Sequence, residues 1–147
     1  MVTIHGSIVI RRPVEEVFDF AADERNEPAY NPQMKSVEKI TPGPVGAGTV
    51  WRTTIDQPGR AASFDVEVID YVRPFRLESL TRTGTLDIQG ALTFQAIDDG
   101  TRMDWSWDLK PKGLLKLAAP VLAAMGRRNE LRIWNGFKRH LEHTAGG

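Results

Sequence analysis

Side chains that commonly perform acid, base or metal chemistry are sparse in this sequence. Histidine occurs at His5, His140 and His143, and cysteine is absent. His140 and His143 have the i, i+3 spacing that lets two helical residues share a metal ion, but no carboxylate or thiolate is convincingly placed beside them. We therefore expect surface histidines close to the Gly-Gly end of the chain, with no metal site and no cofactor.

Carboxylates in the strand-like segments are the next candidates for proton transfer. Asp65, Glu67, Asp104 and Asp108 alternate with apolar residues, which places them on the face opposite the apolar stripe. A catalytic acid or base must be at least partly desolvated, so this phase predicts a solvated sheet face. No serine occupies a nucleophile-elbow setting, and no glycine loop precedes a helix in phosphate-cradling order. The sequence thus singles out no catalytic residue.

Aromatic and apolar residues at period-two spacing indicate a hydrophobic cavity instead. Met103, Trp105, Trp107 and Leu109 share one face of a strand and form a broad apolar wall. Other predicted strands extend this wall, and polar side chains beside it are candidates for orienting a ligand. The predicted ligand-binding residues are Tyr30, Trp51, Thr53, Phe64, Val66, Leu77, Ser79, Leu92, Phe94, Trp105, Trp107, Met125, Arg127 and Asn129.

The elements that must position these residues form a single domain, residues 1–147. About seven strand-like segments occur at hairpin spacing, with Gly90 expected to cause a bulge or bend. A short amphipathic helix follows Pro13, and a further helical turn lies between Asp23 and Pro32. Strands joined by short turns pair antiparallel. We predict an α+β fold in which a curved antiparallel sheet wraps around a long C-terminal helix, the one element able to cover it.

The C-terminal helical segment carries two apolar stripes that point in opposite directions. Leu131, Trp134, Phe137 and Leu141, with Lys138, form a conventional core stripe. The earlier apolar residues centre roughly 180° away on the same wheel; they are Leu114, Leu117, Ala118, Val121, Leu122 and Met125.

Two arrangements of this helix satisfy the pattern. The favoured one is a kink or break near Pro120 or Gly126 that brings both stripes to the core. The other is an unbroken helix whose first stripe is exposed and needs a partner chain, a membrane or a lid. In that case the residues facing inward would be Lys116, Ala119, Ala123, Arg127 and Glu130.

Charge and composition restrict the partners. The 19 basic and 19 acidic side chains cancel, so no global field attracts nucleic acid. Basic residues of the late helix, Arg127 and Arg128 among them, stabilise a helix C-terminus or meet an anionic headgroup. The absence of cysteine suits a reducing compartment, and neither a signal peptide nor a membrane-spanning run is visible. We expect a cytoplasmic protein.

Several local motifs, in their order along the chain, resemble those of a known superfamily. They are Arg12-Pro13-Val14-Glu15-Glu16-Val17-Phe18-Asp19-Phe20, the corner from Asp23 to Pro32, Gly46-Ala47-Gly48-Thr49, Val72-Arg73-Pro74-Phe75-Arg76-Leu77, and Asp99-Gly100-Thr101-Arg102-Met103. This order resembles the helix-grip fold of the START and Bet v 1-like (SRPBCC) superfamily, most closely its bacterial polyketide cyclase/dehydratase-like group. At the corner, Tyr30 stands where tryptophan is usual in that group.

The resemblance implies a deep apolar cavity between sheet and terminal helix that holds a lipid, sterol or polyketide-like molecule. We expect a carrier or sensor of such a molecule. The alternative is a cyclase or dehydratase that uses neither metal nor organic cofactor, which the missing buried His/Asp/Glu set disfavours. A weaker alternative is a protein-interaction or toxin-like role through the first stripe of the terminal helix. Membrane contact would be transient, and a homodimer could form through Leu114, Leu117, Val121 and Leu122.

Overall fold

In the computed structural model, which describes residues 2–57 and 59–144, seven antiparallel strands form one sheet around a long helix. The strands are β1 (Val2–Ile10), β2 (Met34–Lys39), β3 (Val50–Gln57), β4 (Arg60–Val72), β5 (Arg76–Arg82), β6 (Leu86–Ile97) and β7 (Gly100–Pro111). Their order in the sheet is β1-β7-β6-β5-β4-β3-β2, so that only β1 pairs out of sequence.

The helices lie between β1 and β2 and after β7. Helix α1 (Val14–Ala22) and a first 3₁₀ helix (Glu24–Ala29) connect β1 to β2, and a second 3₁₀ helix (Gly113–Ala118) leads from β7 into α2 (Ala119–Thr144). The predicted α+β architecture, including two short helices after the first strand, is confirmed. It brings the concave sheet face, the first 3₁₀ helix and α2 together.

Two glycines make room for the tryptophans of β7. Trp105 lies opposite Gly6 and Trp107 lies opposite Gly90. A Cβ atom on Gly90 would lie 2.0 Å from the Ser106 carbonyl oxygen and 2.6 Å from the Trp107 ring. The expected bulge at Gly90 is wrong: the register runs through it without a shift. The glycine is required for close packing, which strand periodicity alone does not distinguish from a bend.

Two apolar clusters fill the space under the sheet. The larger one joins α1 and the second half of α2 to β6 and β7, and Phe18 makes an edge contact with Phe94 at a centroid distance of 5.2 Å. The smaller one contains Trp51, Val66 and Val68 of β3 and β4. The gap between the two clusters is where the cavity lies.

Helix α2 is continuous, so the favoured prediction of a break near Pro120 or Gly126 is wrong. Pro120 lies in the first turn of α2. Backbone N–H groups in the first turn make no bond within the helix, so proline, which lacks an N–H, is tolerated there. Gly126 lies inside the unbroken helix, and a Cβ atom there would lie 2.3 Å from Ile4 Cδ1 on β1. The glycine therefore permits the close approach of α2 to β1.

The apolar stripe at the start of α2 is exposed, as in the alternative arrangement. Leu114, Leu117, Val121 and Met125 face solvent, and Leu122 is half-buried. In the second half Trp134, Phe137 and Leu141 are buried as predicted, but Leu131 is 53% exposed. The inclusion of Leu131 in the core stripe is wrong, because the buried arc of α2 centres on Trp134 and Phe137. Of the residues expected to face inward, Ala123 is buried and Glu130 reaches the cavity, whereas Lys116 and Arg127 are exposed.

Candidate functional site

A cavity of about 140 Å³ lies between the concave sheet face and the helices. This volume is close to that of an apolar cavity able to hold one benzene ring. The strands contribute Trp51, Val68, Leu77, Glu78, Ser79, Leu92 and Trp107 to the lining. The helices and the corner after them contribute Ala21, Ala22, Glu24, Glu27, Tyr30, Glu130, Ile133 and Trp134. The walls are largely aromatic and aliphatic, with a group of acids on the helical side.

The first 3₁₀ helix places three polar side chains in the cavity lining. A 3₁₀ helix has three residues per turn, so side chains at i and i+3 lie one above the other. Glu24, Glu27 and Tyr30 have this spacing, and all three line the cavity. Asp23 fixes the start of the helix, since its side chain accepts a hydrogen bond from the Arg25 backbone N–H at 3.0 Å.

Both glutamates of this helix have a raised pKa. Burial raises the pKa of Glu24 well above its ordinary value, and the neighbouring Glu27 and Asp23 carboxylates raise it further. Burial also raises the pKa of Glu27, against the effect of a hydrogen bond donated to Glu27 Oε2 by Asn31 Nδ2 at 2.8 Å. These two side chains therefore hold their protons to higher pH than an exposed glutamate does.

Glu130 on α2 lines the same cavity as Glu24 and Glu27. Burial raises its pKa to about 7, and the charge of Glu27 acts in the same direction. Trp134, one turn further along the helix, donates a hydrogen bond from Nε1 to Glu130 Oε2 at 2.6 Å, and the nearby Trp107 indole also favours the charged form. A carboxyl group with this pKa exists in both protonation states near neutral pH.

Tyr30 completes this group. Burial raises the pKa of its phenol well above the ordinary value, and the carboxylates of Glu27, Glu24 and Glu130 raise it further. The Tyr30 ring packs against Phe137 and Trp134 at centroid distances of 5.0 and 6.1 Å. The phenol consequently stays neutral at the pH near which Glu130 ionises.

Two indole N–H groups in the cavity walls have no hydrogen-bond partner among the described residues. They are Trp51 Nε1 and Trp107 Nε1, and both atoms are buried. Trp107 Nε1 is close enough to Glu130 to lower its pKa without meeting hydrogen-bond geometry. A buried donor that lacks an acceptor costs about 1–3 kcal/mol. The site therefore has unused hydrogen-bonding capacity beside its apolar walls.

Six of the residues predicted from the sequence line this cavity: Tyr30, Trp51, Leu77, Ser79, Leu92 and Trp107. Val66, Phe94 and Trp105 lie in the surrounding core. Thr53 is fully buried and donates its hydroxyl proton to the carbonyl oxygen of Phe64, its half-buried neighbour on β4, at 3.1 Å.

The three predicted residues on α2 lie away from the cavity. Met125 and Asn129 line a separate, open groove of about 470 Å³ that also includes Gln33, Leu109 and Arg132. Arg127 is exposed. The helix presents Glu130 and Trp134 to the cavity instead.

The cavity acids Glu24 and Glu27 were not predicted from the sequence, and Glu130 was expected to face inward only in an unbroken helix. Glu24 and Glu27 lie in the polar stretch before Pro28, where a helical turn is predicted but no apolar stripe marks its inward side. Their spacing of three from each other and from Tyr30 is the signal that could have identified them. As expected for the strand carboxylates, Asp65 is on the exposed face, where it pairs with Arg52 at 3.0 Å.

Other site types find little support within residues 2–57 and 59–144. No group of three or more His, Asp or Glu side chains there is arranged to hold a metal ion. His140 is half-buried and stacks on Phe20 at a centroid distance of 5.2 Å, while His143 is exposed. None of the helices in this part of the chain combines the length and apolar character needed to cross a bilayer.

The sequence matches the model of a known protein family. Residues 1–142 match the family model described as polyketide cyclase / dehydrase and lipid transport. No curated protein matches by sequence.

Solved structures share the fold at low sequence identity. The Zhui aromatase/cyclase from a Streptomyces species superimposes with a TM-score of 0.80 at 17% identity, over 99% of this chain and 98% of that one. A START superfamily protein from Mycobacterium smegmatis gives 0.82 at 12% identity, over 95% and 97%. A protein from Thermus thermophilus gives 0.79 at 17% identity, over 95% and 96%.

Proposed function

The chain belongs to the polyketide cyclase/dehydrase and lipid transport family, and we propose that it binds a hydrophobic small molecule in the cavity beneath the sheet, as a carrier or sensor. The observation that carries this proposal is the cavity lined by Trp51, Leu92, Trp107 and Trp134. Removing apolar ligand surface from water there contributes about 25 cal/mol per Å². A lipid, sterol or polyketide-like molecule supplies such surface.

The cavity volume sets the part of the ligand that is enclosed. Pockets for drug-sized ligands usually measure about 300–1,000 Å³, whereas this cavity has about 140 Å³. One ring or a short branched end of the ligand fits inside without rearrangement. A polar group on that part would meet Glu130, Tyr30 and the unpaired indole N–H groups, which would fix its orientation.

Native mass spectrometry of the protein purified from its own host tests this proposal. We expect a co-purifying hydrophobic molecule, and a thermal shift with members of a panel of fatty acids, sterols and polycyclic phenols. A mass spectrum without ligand, together with no thermal shift across the panel, would refute the binding function.

A pair of serine variants shows whether the ligand occupies this cavity. Ser79→Leu adds apolar volume to the cavity wall and should abolish binding. Ser7→Leu places the same side chain on an exposed position of β1 and should bind as the wild type does. Equal affinity of both variants would exclude the cavity as the site.

Acid–base catalysis of the cyclase or dehydratase type is the second candidate function, and the pKa of Glu130 favours it. In a dehydration, ionised Glu130 would take a proton from the carbon next to a carbonyl group while a protonated glutamate gives its proton to the leaving hydroxyl. A C=C bond forms, the C–O bond breaks and water leaves. Glu24 and Glu27, with raised pKa values, are suited to the acid role.

Glu130→Gln distinguishes a catalytic function from ligand binding alone. An enzyme should lose turnover of a β-hydroxy polyketide analogue in this variant while still binding the analogue. Glu142→Gln removes a carboxylate from the opposite end of the same helix, outside the cavity, and should leave turnover unchanged. Absence of turnover in the wild type across such analogues would leave binding as the function.

A further inference from the structure

The junction of the second 3₁₀ helix and α2 exposes an unusual amount of apolar surface. Leu114 is 86% exposed and Leu117 is 84% exposed, the highest values among the large apolar side chains of the described residues. Val121 and Met125 follow them and are also exposed. We call these four residues the apolar ridge. It contributes nothing to the core and leaves four large side chains in water.

Helix geometry makes the ridge continuous. Leu114 and Leu117 are three residues apart in a 3₁₀ helix, so they lie one above the other. Val121 and Met125 are four residues apart in α2 and therefore occupy one side of that helix. Arg128 and Arg132 extend the same side by a further turn each. A single face of the protein thus changes from leucine to arginine along its length.

The charges around the ridge have one sign. Between Leu109 and Asn129 the sequence contains five lysines and arginines and no aspartate or glutamate. Lys112 pairs with Asp87 at 2.8 Å. The other basic residues around the ridge are exposed and take part in none of the ion pairs found in residues 2–57 and 59–144; they are Lys110, Lys116, Arg127, Arg128 and Arg132. The nearest acid on α2, Glu130, lines the cavity.

We propose that the apolar ridge docks this protein onto an anionic lipid bilayer. An apolar face bordered by lysine and arginine is what an interfacial membrane site requires. The ridge side chains would enter the boundary between acyl chains and headgroups, and Arg128 and Arg132 would contact lipid phosphates. This proposal does not depend on whether the cavity carries a ligand or catalyses a reaction.

A second copy of the chain fits this surface less well. A symmetric dimer places the same patch on both sides of the contact. Two ridges facing each other would bring the basic residues of both copies together without an acidic partner, and like charges in apposition oppose association. An anionic surface instead complements both the ridge and its border.

Vesicle flotation tests the proposal. The wild type should bind phosphatidylglycerol-containing vesicles, bind pure phosphatidylcholine vesicles much more weakly, and detach as salt is raised. Leu117→Glu should reduce affinity at least about tenfold, since it removes one apolar anchor and adds a negative charge. Arg128→Gln should reduce it about fivefold. Phe75→Glu is the matched control, because Phe75 is 56% exposed at the opposite end of the sheet, where binding should be unaffected.

The absence of natural cysteine allows a direct measurement of depth. Leu117→Cys carrying a polarity-sensitive fluorophore should shift to the blue on anionic vesicles and be quenched by brominated lipid. The same label on Phe75→Cys should show neither change. All these positions are exposed, so unchanged thermal unfolding of each variant verifies that folding is intact.

Three results would overturn the proposal. The first is no binding of the wild type to anionic vesicles. The second is equal binding by wild type and Leu117→Glu. The third is a monomer–dimer equilibrium in sedimentation that Leu117→Glu abolishes, which would identify a second copy as the occupant of the apolar ridge.

Discussion

Replacement of Glu130 by glutamine should stabilise the protein at neutral and higher pH. Burial raises the pKa of this carboxyl group from 4.5 to about 7 in the folded state. The folded protein therefore keeps the proton to higher pH than the unfolded chain does. Between these two values the unfolded state releases the proton first, so the free energy of unfolding falls as pH rises. Below pH 4.5 the group imposes no penalty, and above about pH 7 the penalty is complete.

The size of the effect follows from the two pKa values. Each unit of pKa difference corresponds to about 1.4 kcal/mol, so the complete penalty is on the order of 3 kcal/mol. Glu130→Gln keeps the shape of the side chain and an oxygen that can accept the Trp134 hydrogen bond, but it cannot ionise. The variant should gain on the order of 3 kcal/mol above pH 7, or roughly 6–12 °C in melting temperature, and close to nothing below pH 4.5.

Urea denaturation of both proteins across this pH range measures the difference directly. Its pH-dependent part isolates ionisation, because any packing change due to the amide is already present at low pH. Glu142→Gln is a control of opposite sign on the same helix. Partial burial raises the pKa of Glu142. Hydrogen bonds from Lys138 Nζ and the Arg11 backbone N–H outweigh this effect and hold that pKa below its ordinary value.

Glu142→Gln should therefore destabilise the protein at neutral pH, and the loss should vanish as pH falls through the folded pKa of Glu142. The reasoning about Glu130 would be refuted if the Glu130→Gln difference did not change with pH. It would also be refuted if that difference had the same sign as the difference for Glu142→Gln.

Two further substitutions test the packing of β6 and β7. Gly90→Ala should cost about 1–3 kcal/mol in urea denaturation, because its Cβ would lie 2.0 Å from the Ser106 carbonyl oxygen; Gly46→Ala, with no atom within 4 Å of its Cβ, should change stability little, and equal effects would contradict the packing argument. Thr101→Val should cost about 1 kcal/mol or more by the same measurement, since the buried hydroxyl donates to the Arg12 carbonyl oxygen at 2.8 Å; an unchanged free energy of unfolding would show that this hydrogen bond contributes nothing net.

The fold could be predicted from the sequence because its signals are local and repeated. Period-two alternation specifies which face of β7 is buried, and Trp105 and Leu109 lie where that rule places them. Turn residues at regular spacing then imply antiparallel neighbours. These signals are redundant, so the wrong prediction of a bulge at Gly90 did not alter the topology.

The site could be predicted only in part, because periodicity describes a regular element and the acids come from elsewhere. Glu24 and Glu27 lie beside Tyr30 because the corner is helical; the sequence predicted a helical turn there but not which of its side chains face the cavity. Glu130 lines the cavity in a helix that continues unbroken past Gly126. A kink was favoured on the assumption that all apolar side chains of the helix are buried in the core. The exposed Leu114 and Leu117 show that this assumption is wrong where the second 3₁₀ helix meets α2.

Under the proposed binding function, the stability cost of the cavity indicates which ligands it should prefer. Three carboxyl groups and a phenol with raised pKa values surround one small space, and two indole N–H groups in its walls lack acceptors. Burial of each such group opposes folding, and perturbed groups of this kind cluster where proteins bind or react. A purely apolar ligand would leave the two indole N–H groups without an acceptor. A ring that carries an oxygen acceptor would satisfy a protonated carboxyl group or an indole and bury its apolar face at the same time. The site should therefore favour hydroxylated or carbonyl-bearing rings over saturated hydrocarbon chains of equal area.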